Sequence, residues 1–224
     1  TTFTKDGRHF LAVASVNSDR LTLVEIGAAN DPLLASQGAD RIVGMDGNDD
    51  IVALGGNDVV YGGRGDDVIS GRDGNDSLFG GADSDVLIGG NGLDTLEGGA
   101  GEDVMLGGAG FDMLSYAASL LGVTVNLSTG TSSGGDAAGD TYRGMDGVIG
   151  SAVADALVGS AAANRLEGRS GNDRLWGMAG NDTIDGGVGN DSVLGGDGID
   201  SLIGNAGSDS LWGEIGNDVI YGGA

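Results

Sequence analysis

Large apolar side chains recur at every ninth position over most of the chain. Residues 35–115 and 141–221 divide without gaps into 18 units of nine residues, and the eighth residue of every unit is Ile, Leu, Val or Met. Successive residues of a strand point to opposite faces, so a short strand centred on position 8 would bury that side chain and turn positions 7 and 9 outward. A fixed period of this kind predicts a repeat architecture with position 8 in its core.

The first six residues of each unit have the composition of a turn. Position 4 is Gly in 15 units, and position 6 is Asp in 17 units, with Asn164 as the exception. Glycine accepts the positive φ angles that tight turns need. We expect two turns and two three-residue strands to close one coil of 18 residues, so that each unit stacks on the next but one at about 4.8 Å.

Stacked coils would bring the position-6 carboxylates into rows on both sides of the molecule. Like charges in such rows repel one another, and a cation between the turns would remove that cost. Calcium takes six to eight oxygen ligands at about 2.3–2.6 Å, and carboxylates with turn carbonyls supply oxygens alone. Magnesium demands a tighter octahedron and fits this geometry less well. An alternative is a calcium-free solenoid in which Asp caps the turns.

The units match the nonapeptide G-G-x-G-x-D-x-U-x, in which U is a large apolar residue. Over 162 of 224 residues the chain resembles the RTX, or haemolysin-type, calcium-binding repeat family. The resemblance implies an all-β, right-handed parallel β-roll (β-solenoid) in two arrays. It also implies that each ion lies between adjacent turns on one side and is held by both position-6 aspartates and by turn carbonyls, which allows at most about 14 calcium ions.

The resemblance therefore assigns the position-6 aspartates as metal ligands. The implied pairs include Asp67 with Asp85, Asp76 with Asp94, Asp182 with Asp200, and Asp191 with Asp209. The full set of implied ligands is Asp40, Asp49, Asp58, Asp67, Asp76, Asp85, Asp94, Asp103, Asp112, Asp173, Asp182, Asp191, Asp200, Asp209 and Asp218.

Charge and composition narrow the function further. The chain has 34 acidic and 10 basic residues and a formal net charge of −24, of which −13 falls in residues 35–115. No basic patch is available for nucleic acid or an anionic membrane surface. There is no cysteine and one histidine, His9, so neither a disulfide framework nor a zinc cluster is expected. We expect an expanded calcium-free chain that calcium binding folds.

The family resemblance also implies a biological setting. RTX proteins are usually exported by type I secretion and fold when they meet external calcium, so we expect a secreted, extracellular protein without catalysis of its own. Its role would be to stabilise or position a larger secreted protein. The alternatives are an accessory C-terminal module of a secreted enzyme (protease, lipase or epimerase) and an adhesin or matrix module that self-associates. The chain opens with Thr1 and has no signal-peptide pattern, which suggests a piece of a longer protein.

Two segments interrupt the period. Residues 1–34 alternate like a β-hairpin and are interpreted as a cap on the first coil or as the tail of an upstream domain. Residues 116–140 connect the first array, 35–115, to the second, 141–224, and are expected to form one strand near Val123 and Val125 followed by a loop.

Two further features carry alternative interpretations. Position 9 of alternate units in the second array forms an apolar row, which is either ordinary cross-strand packing or a docking face for a second copy or a neighbouring domain; its members are Val158, Trp176, Leu194 and Trp212. Gly130 to Gly134 spell G-x-S-x-G, but the surrounding Ser/Thr/Gly segment does not predict the strand, turn and helix of a nucleophile elbow.

Overall fold

Short strands joined by tight turns make up most of the chain. A computed structural model describes residues 2–5, 8–14, 21–25, 30 and 32–223, with the backbone alone in the first three segments. The fold is an all-β parallel β-solenoid of about 11 turns, and over the described residues it is almost without helix. The predicted fold class is confirmed. The chain forms two compact units, Thr1–Asp112 with Tyr142–Gly144 and Met113–Thr141 with Met145–Ala224.

The first unit contains two sheets. One sheet has the order β1-β2-β3-β5-β7-β9-β11 and the other β16-β12-β10-β8-β6-β4. The strands of the first sheet are β1 (Thr2–Lys5), β2 (Arg8–Ala14), β3 (Leu21–Glu25), β5 (Arg41–Asp46), β7 (Val59–Arg64), β9 (Ser77–Ala82) and β11 (Thr95–Ala100). Those of the second are β4 (Pro32–Leu34), β6 (Asp50–Val52), β8 (Val68–Asp73), β10 (Val86–Gly92), β12 (Val104–Gly110) and β16 (Thr141–Arg143), which belongs to this unit from Tyr142 on.

The second unit repeats the arrangement. Its sheets have the orders β13-β17-β19-β21-β23-β25 and β15-β14-β18-β20-β22-β24. The first sheet consists of β13 (Met113–Ser115), β17 (Gly147–Ile149), β19 (Arg165–Glu167), β21 (Thr183–Val188), β23 (Ser201–Ala206) and β25 (Val219–Tyr221). The second consists of β14 (Thr124–Asn126), β15 (Thr131–Ser133), β18 (Ala156–Val158), β20 (Arg174–Ala179), β22 (Ser192–Asp197) and β24 (Ser210–Ile215).

The strand register has the predicted period of one coil. Val59 pairs in parallel with Arg41, and Ser77 pairs with Val59, so each residue lies beside the residue 18 positions away. Position 8 forms the core of both units, as expected: Ile69, Leu87 and Leu166 are completely buried, and so are most of their equivalents. Burying an aliphatic side chain of this size contributes about 1.5–3 kcal/mol, and it is the main apolar gain of each coil.

The strands are longer than the sequence predicts. Many run for six residues, from position 7 through position 3 of the next unit, as in Val59–Arg64. The glycines of the expected turn therefore pair as well: Gly81 lies in register with Gly63, and Ala82 with Arg64. The left-handed backbone of position 2 (φ of 127° at Gly63) bends the chain without ending the pairing.

The segments outside the repeat extend the sheets. The N-terminal hairpin is present, since β2 and β3 pair antiparallel, although its tip at residues 15–20 lies outside the described residues. Strand β3 then pairs in parallel with β5. In the connecting segment, β14 pairs in parallel with β18. The expected loop beyond it contains β15, antiparallel to β14, and a 3-10 helix at Gly135–Ala137, because Thr131 to Ser133 find partners along the free edge of β14.

Candidate calcium sites

The position-6 aspartates are charged side chains buried in the turns. Asp67, Asp85 and Asp182 have at most 2% of their surface exposed, and most of their equivalents are buried to the same degree. The turn geometry causes this burial, because position 6 precedes a core strand and its side chain folds back over the glycine at position 1. Isolated carboxylates are rarely buried in this way, since losing water costs several kcal/mol.

One carboxylate oxygen of most of these aspartates accepts a backbone N–H of the neighbouring coil. The N–H of Asp67 donates to Oδ1 of Asp85 at 2.8 Å, and the N–H of Asp182 donates to Oδ1 of Asp200 at 2.9 Å. The other implied pairs are joined identically, Asp76 to Asp94 at 2.8 Å and Asp191 to Asp209 at 2.9 Å. The structure thus brings together the residues that the sequence pairs, through a backbone N–H to a carboxylate.

The second carboxylate oxygen is buried and accepts no hydrogen bond. This holds for Oδ2 of Asp58, Asp67, Asp76, Asp85, Asp94, Asp173, Asp182, Asp191, Asp200 and Asp209. A Cβ placed on Gly62 would collide with Oδ2 of Asp67 and would lie 2.7 Å from the carbonyl oxygen of Gly80, in the next coil. We call the turns of these ten aspartates the glycine turns. In eight of them a carboxylate oxygen and a carbonyl oxygen of adjacent coils converge on one small space beside the glycine at position 1; these glycines are Gly62, Gly71, Gly80, Gly89, Gly168, Gly177, Gly195 and Gly204.

This space has the donors of a calcium site. Calcium prefers carboxylate and carbonyl oxygens, and both are oriented toward it without a competing hydrogen bond. Within the described part of the chain, no three His, Cys, Asp or Glu side chains converge on one point. A cation here would therefore be held by one or two carboxylates and completed by turn carbonyls and water. The carboxylate and carbonyl oxygens present here are therefore suitable calcium ligands.

The electrostatics of the turns favour a bound cation. The pKa of Asp85 is raised to about 8, chiefly by burial. The backbone N–H of Asp67 lowers this pKa, and the nearby carboxylates of Asp67 and Asp103 contribute to raising it. Burial likewise raises the pKa of Asp58 and Asp173 to about 7. The charged form of these carboxylates is disfavoured until a positive charge lies beside it.

A second ladder, at position 5, was not predicted from the sequence. Oδ1 of Asn75 accepts the N–H of Leu93 at 2.9 Å, and Oδ1 of Asn172 accepts the N–H of Asn190 at 2.8 Å. This ladder runs from a side chain to the following coil, whereas the position-6 ladder runs to the preceding one. The recurrence of Asn at position 5 is the sequence signal that could have revealed it.

The other candidate features have plain structural roles. Ser132 of the G-x-S-x-G segment lies in β15, and its hydroxyl donates to the backbone carbonyl of Asp140 at 3.1 Å. The apolar row has the predicted register, with Val158 beside Trp176, and Leu194 between Trp176 and Trp212. No helix among the described residues is long and apolar enough to cross a membrane.

The fold and its turns define a calcium-binding β-solenoid built from nonapeptide repeats. A family model for the RTX calcium-binding nonapeptide repeat matches residues 26–60, 53–87, 79–114, 158–193 and 194–224, which together cover more than half of the chain. The chain belongs to the RTX calcium-binding repeat family, which binds calcium. Comparison of the chain with curated proteins finds no match.

Proposed function

We propose that calcium ions bind between adjacent turns on each side of the coils and that the position-6 aspartates are their side-chain ligands. The observation that carries this proposal is the set of ten buried Oδ2 atoms without a hydrogen bond, eight of which lie beside a carbonyl oxygen of the next coil at the glycine of position 1. In a calcium-free protein these atoms are a cost of about 1–3 kcal/mol each. Bound calcium supplies the positive charge that removes it.

Different residues of the turn orient the ligand and leave space for the ion. Oδ1 of each aspartate fixes the carboxylate against the backbone N–H of the preceding coil, and Oδ2 is thereby directed toward the following coil. In eight of the glycine turns the glycine at position 1 leaves room for the ion, because a Cβ there would fill the space. Neighbouring coils must be in register before the oxygens of one site meet, so binding free energy becomes folding free energy.

This coupling supports a role as a folding switch. The chain would stay expanded at low calcium, where its net charge of −24 repels itself, and would fold in extracellular calcium. The repeat module is a structural calcium-binding domain. On this proposal it is secreted, has no catalysis of its own, and stabilises or positions a larger secreted protein, with residues 1–34 as the cap or the junction.

A calcium titration followed by far-UV circular dichroism tests the proposal. The β signal should appear over a narrow calcium range and disappear on chelation, while the same concentration of magnesium should restore little of it. Equilibrium dialysis would give the number of bound ions. A spectrum that is unchanged after complete removal of calcium would contradict the folding switch and favour turns that Asp caps unaided.

A second candidate function is contact through the apolar row of the second unit. Trp212 is 50% exposed and lies beside Leu194 at the edge of the sheet. Exposed apolar surface of this kind is typical of a contact with another protein. Trp176→Lys with Trp212→Lys should abolish any self-association seen by sedimentation in calcium. Unchanged sedimentation of a self-associating protein would reject the row as the contact.

A further inference from the structure

In three turns a serine donates hydrogen bonds to the position-6 side chain. In the turn of residues 35–40, the N–H and the hydroxyl of Ser36 both donate to Oδ2 of Asp40 at 2.7 Å, and the N–H of Gly38 donates to the Ser36 hydroxyl at 3.2 Å. Oδ2 of Asp40 is the atom equivalent to the unbonded oxygen of the glycine turns. Here the protein itself supplies two donors to it.

The same arrangement occurs twice in the second unit. The N–H of Ser151 donates to Oδ2 of Asp155 at 2.7 Å, and its hydroxyl lies 2.9 Å from Oδ1. The N–H of Ser160 donates to Oδ1 of Asn164 at 2.6 Å, and its hydroxyl lies 3.1 Å from the same atom. In both turns the position-4 N–H donates back to the serine hydroxyl at 3.2 Å. We call these three turns, at residues 35–40, 150–155 and 159–164, the serine turns.

The backbone of the serine turns differs from that of the others. In seven of the eight other units where position 2 is not glycine, its φ is positive, for example 80° at Arg72 and 84° at Met178, with Tyr142 as the exception. None of the three serines is among the residues with positive φ. The strand before each serine turn stops at position 9, at Leu34, Ile149 and Val158, as β6 and β19 also do before two other turns. The serine thus selects a second kind of turn.

Asn164 shows that one of these turns has no need of a charge. It is the one position-6 residue that is not Asp, and it stands in a serine turn. Its Oδ1 takes the two serine donors, and its Nδ2 donates to the backbone carbonyl of Asp146 at 2.9 Å. A neutral amide with both ends hydrogen-bonded is a poor ligand for calcium but a complete cap for a turn.

We infer that the serine turns close without calcium and that Ser36, Ser151 and Ser160 determine which turns of the chain do not take an ion. The inference rests on the proposed function, because it assigns the calcium to the remaining turns. Every pair of adjacent turns that includes a serine turn then drops out, which leaves about ten sites of the 14 that the repeats allow. Residues 150–167 form a whole coil whose two turns need no metal.

Amide hydrogen exchange of the full chain in calcium and in chelator tests the inference. In calcium, all coils should be protected. In chelator, the coil at 150–167 should exchange at least about tenfold more slowly than residues 62–112, because its turns keep their hydrogen bonds. Loss of protection to the same extent everywhere would overturn the inference and leave the calcium function standing. No change anywhere would overturn the calcium function as well.

Two variants separate the serine bonds from other causes of residual protection. Ser151→Ala with Ser160→Ala should reduce the protection of 150–167 in chelator by about tenfold or more, since each turn loses a hydroxyl bond. Ser210→Ala, on the exposed side of β24, is the matched control and should change nothing. Undiminished protection in the double variant would show that the serines do not close these turns. The wild-type comparison decides the inference even if that variant fails to fold.

Discussion

Glycine turns and serine turns are built from one repeat, yet the buried oxygen of the position-6 side chain has different partners in the two. In the turn of residues 80–85, Oδ2 of Asp85 accepts no hydrogen bond, whereas in the turn of residues 150–155, Oδ2 of Asp155 accepts the N–H of Ser151 at 2.7 Å. In the glycine turn the oxygen is left without a donor, and on the proposed function a cation supplies the missing charge. In the serine turn a donor of the chain itself binds the oxygen.

The buried apolar side chains hold a coil together, whereas the bonding of the position-6 oxygen determines whether the coil responds to calcium. Leu87 and Leu166 are both completely buried, so the core is the same in both regions. The turns of residues 80–85 and 150–155 differ at positions 2, 4 and 5, and the serine at position 2 donates hydrogen bonds to the position-6 carboxylate. On the inference above, this serine replaces a calcium site with a turn that depends on no ligand. Calcium dependence is therefore a local property of each turn.

Core substitutions should have the largest effect and the same effect in both regions. Leu87→Ala and Leu166→Ala each remove a fully buried side chain and should lower the free energy of unfolding in calcium by about 2–5 kcal/mol. Amide exchange in each region, with calcium in excess, measures the loss. A much smaller cost at Leu166 would show that the regions differ in packing, and the comparison of turns would then explain less.

Charge changes at position 6 should affect calcium binding only in glycine turns. Asp85→Asn removes a proposed ligand that lies between Asp67 and Asp103, so equilibrium dialysis should find about two fewer ions. Asp46→Asn, an exposed loss of the same charge, is the control and should leave the number unchanged. Asn164→Asp should add no ion while Ser160 remains, and a gained ion would break the distinction between the two kinds of turn.

The sequence predicts the repeat, the core and the pairing of aspartates because each depends on spacing alone. Position 8 is in the core because a strand alternates, and Asp67 meets Asp85 because two units make a coil. The extension of the strands through Gly62 and Gly63 is less predictable, since glycine composition favours a turn. The role of Ser151 depends on a bond to Asp155 within the turn, which the nine-residue pattern treats as a mismatch.

Acidity should stabilise the glycine turns when calcium is absent. Burial raises the pKa of Asp85 to about 8 and of Asp67 to about 6, above the ordinary value of 3.8. The folded state therefore holds more protons than the unfolded chain, and stability is lost as the pH rises through these values. Metal-free protein should show more β structure by circular dichroism at pH 5 than at pH 8. The opposite order would contradict the raised pKa values.

Glycine at position 2 should have opposite effects in the two kinds of turn. Ser151→Gly removes the hydroxyl bond to Asp155 and the acceptor of the Val153 N–H, and should cost about 1–3 kcal/mol. Met178→Gly relieves a left-handed backbone (φ of 84°) and should gain about 0.5–1 kcal/mol after the entropy of glycine is subtracted. Both substitutions lie in the second unit, which also holds both tryptophans, so urea unfolding followed by tryptophan fluorescence compares them directly. Equal signs would contradict the assignment of two backbone conformations.

The exposed position-5 ladder should contribute least to the free energy of unfolding. Because each side chain accepts an N–H of the following coil only, a substitution should affect one neighbouring coil and not the other. Asn75→Ala removes the acceptor of the Leu93 N–H, and because water reaches that group the loss should be about 0.5–1 kcal/mol. The Leu93 amide should exchange about threefold to tenfold faster. The Asn75 amide, which donates to Asn57 at 2.9 Å, should be unaffected, because each side chain supports only the following coil. Ser84→Ala, at position 5 of the next unit, is the control. Faster exchange at Asn75 than at Leu93 would reverse the assigned direction of the ladder.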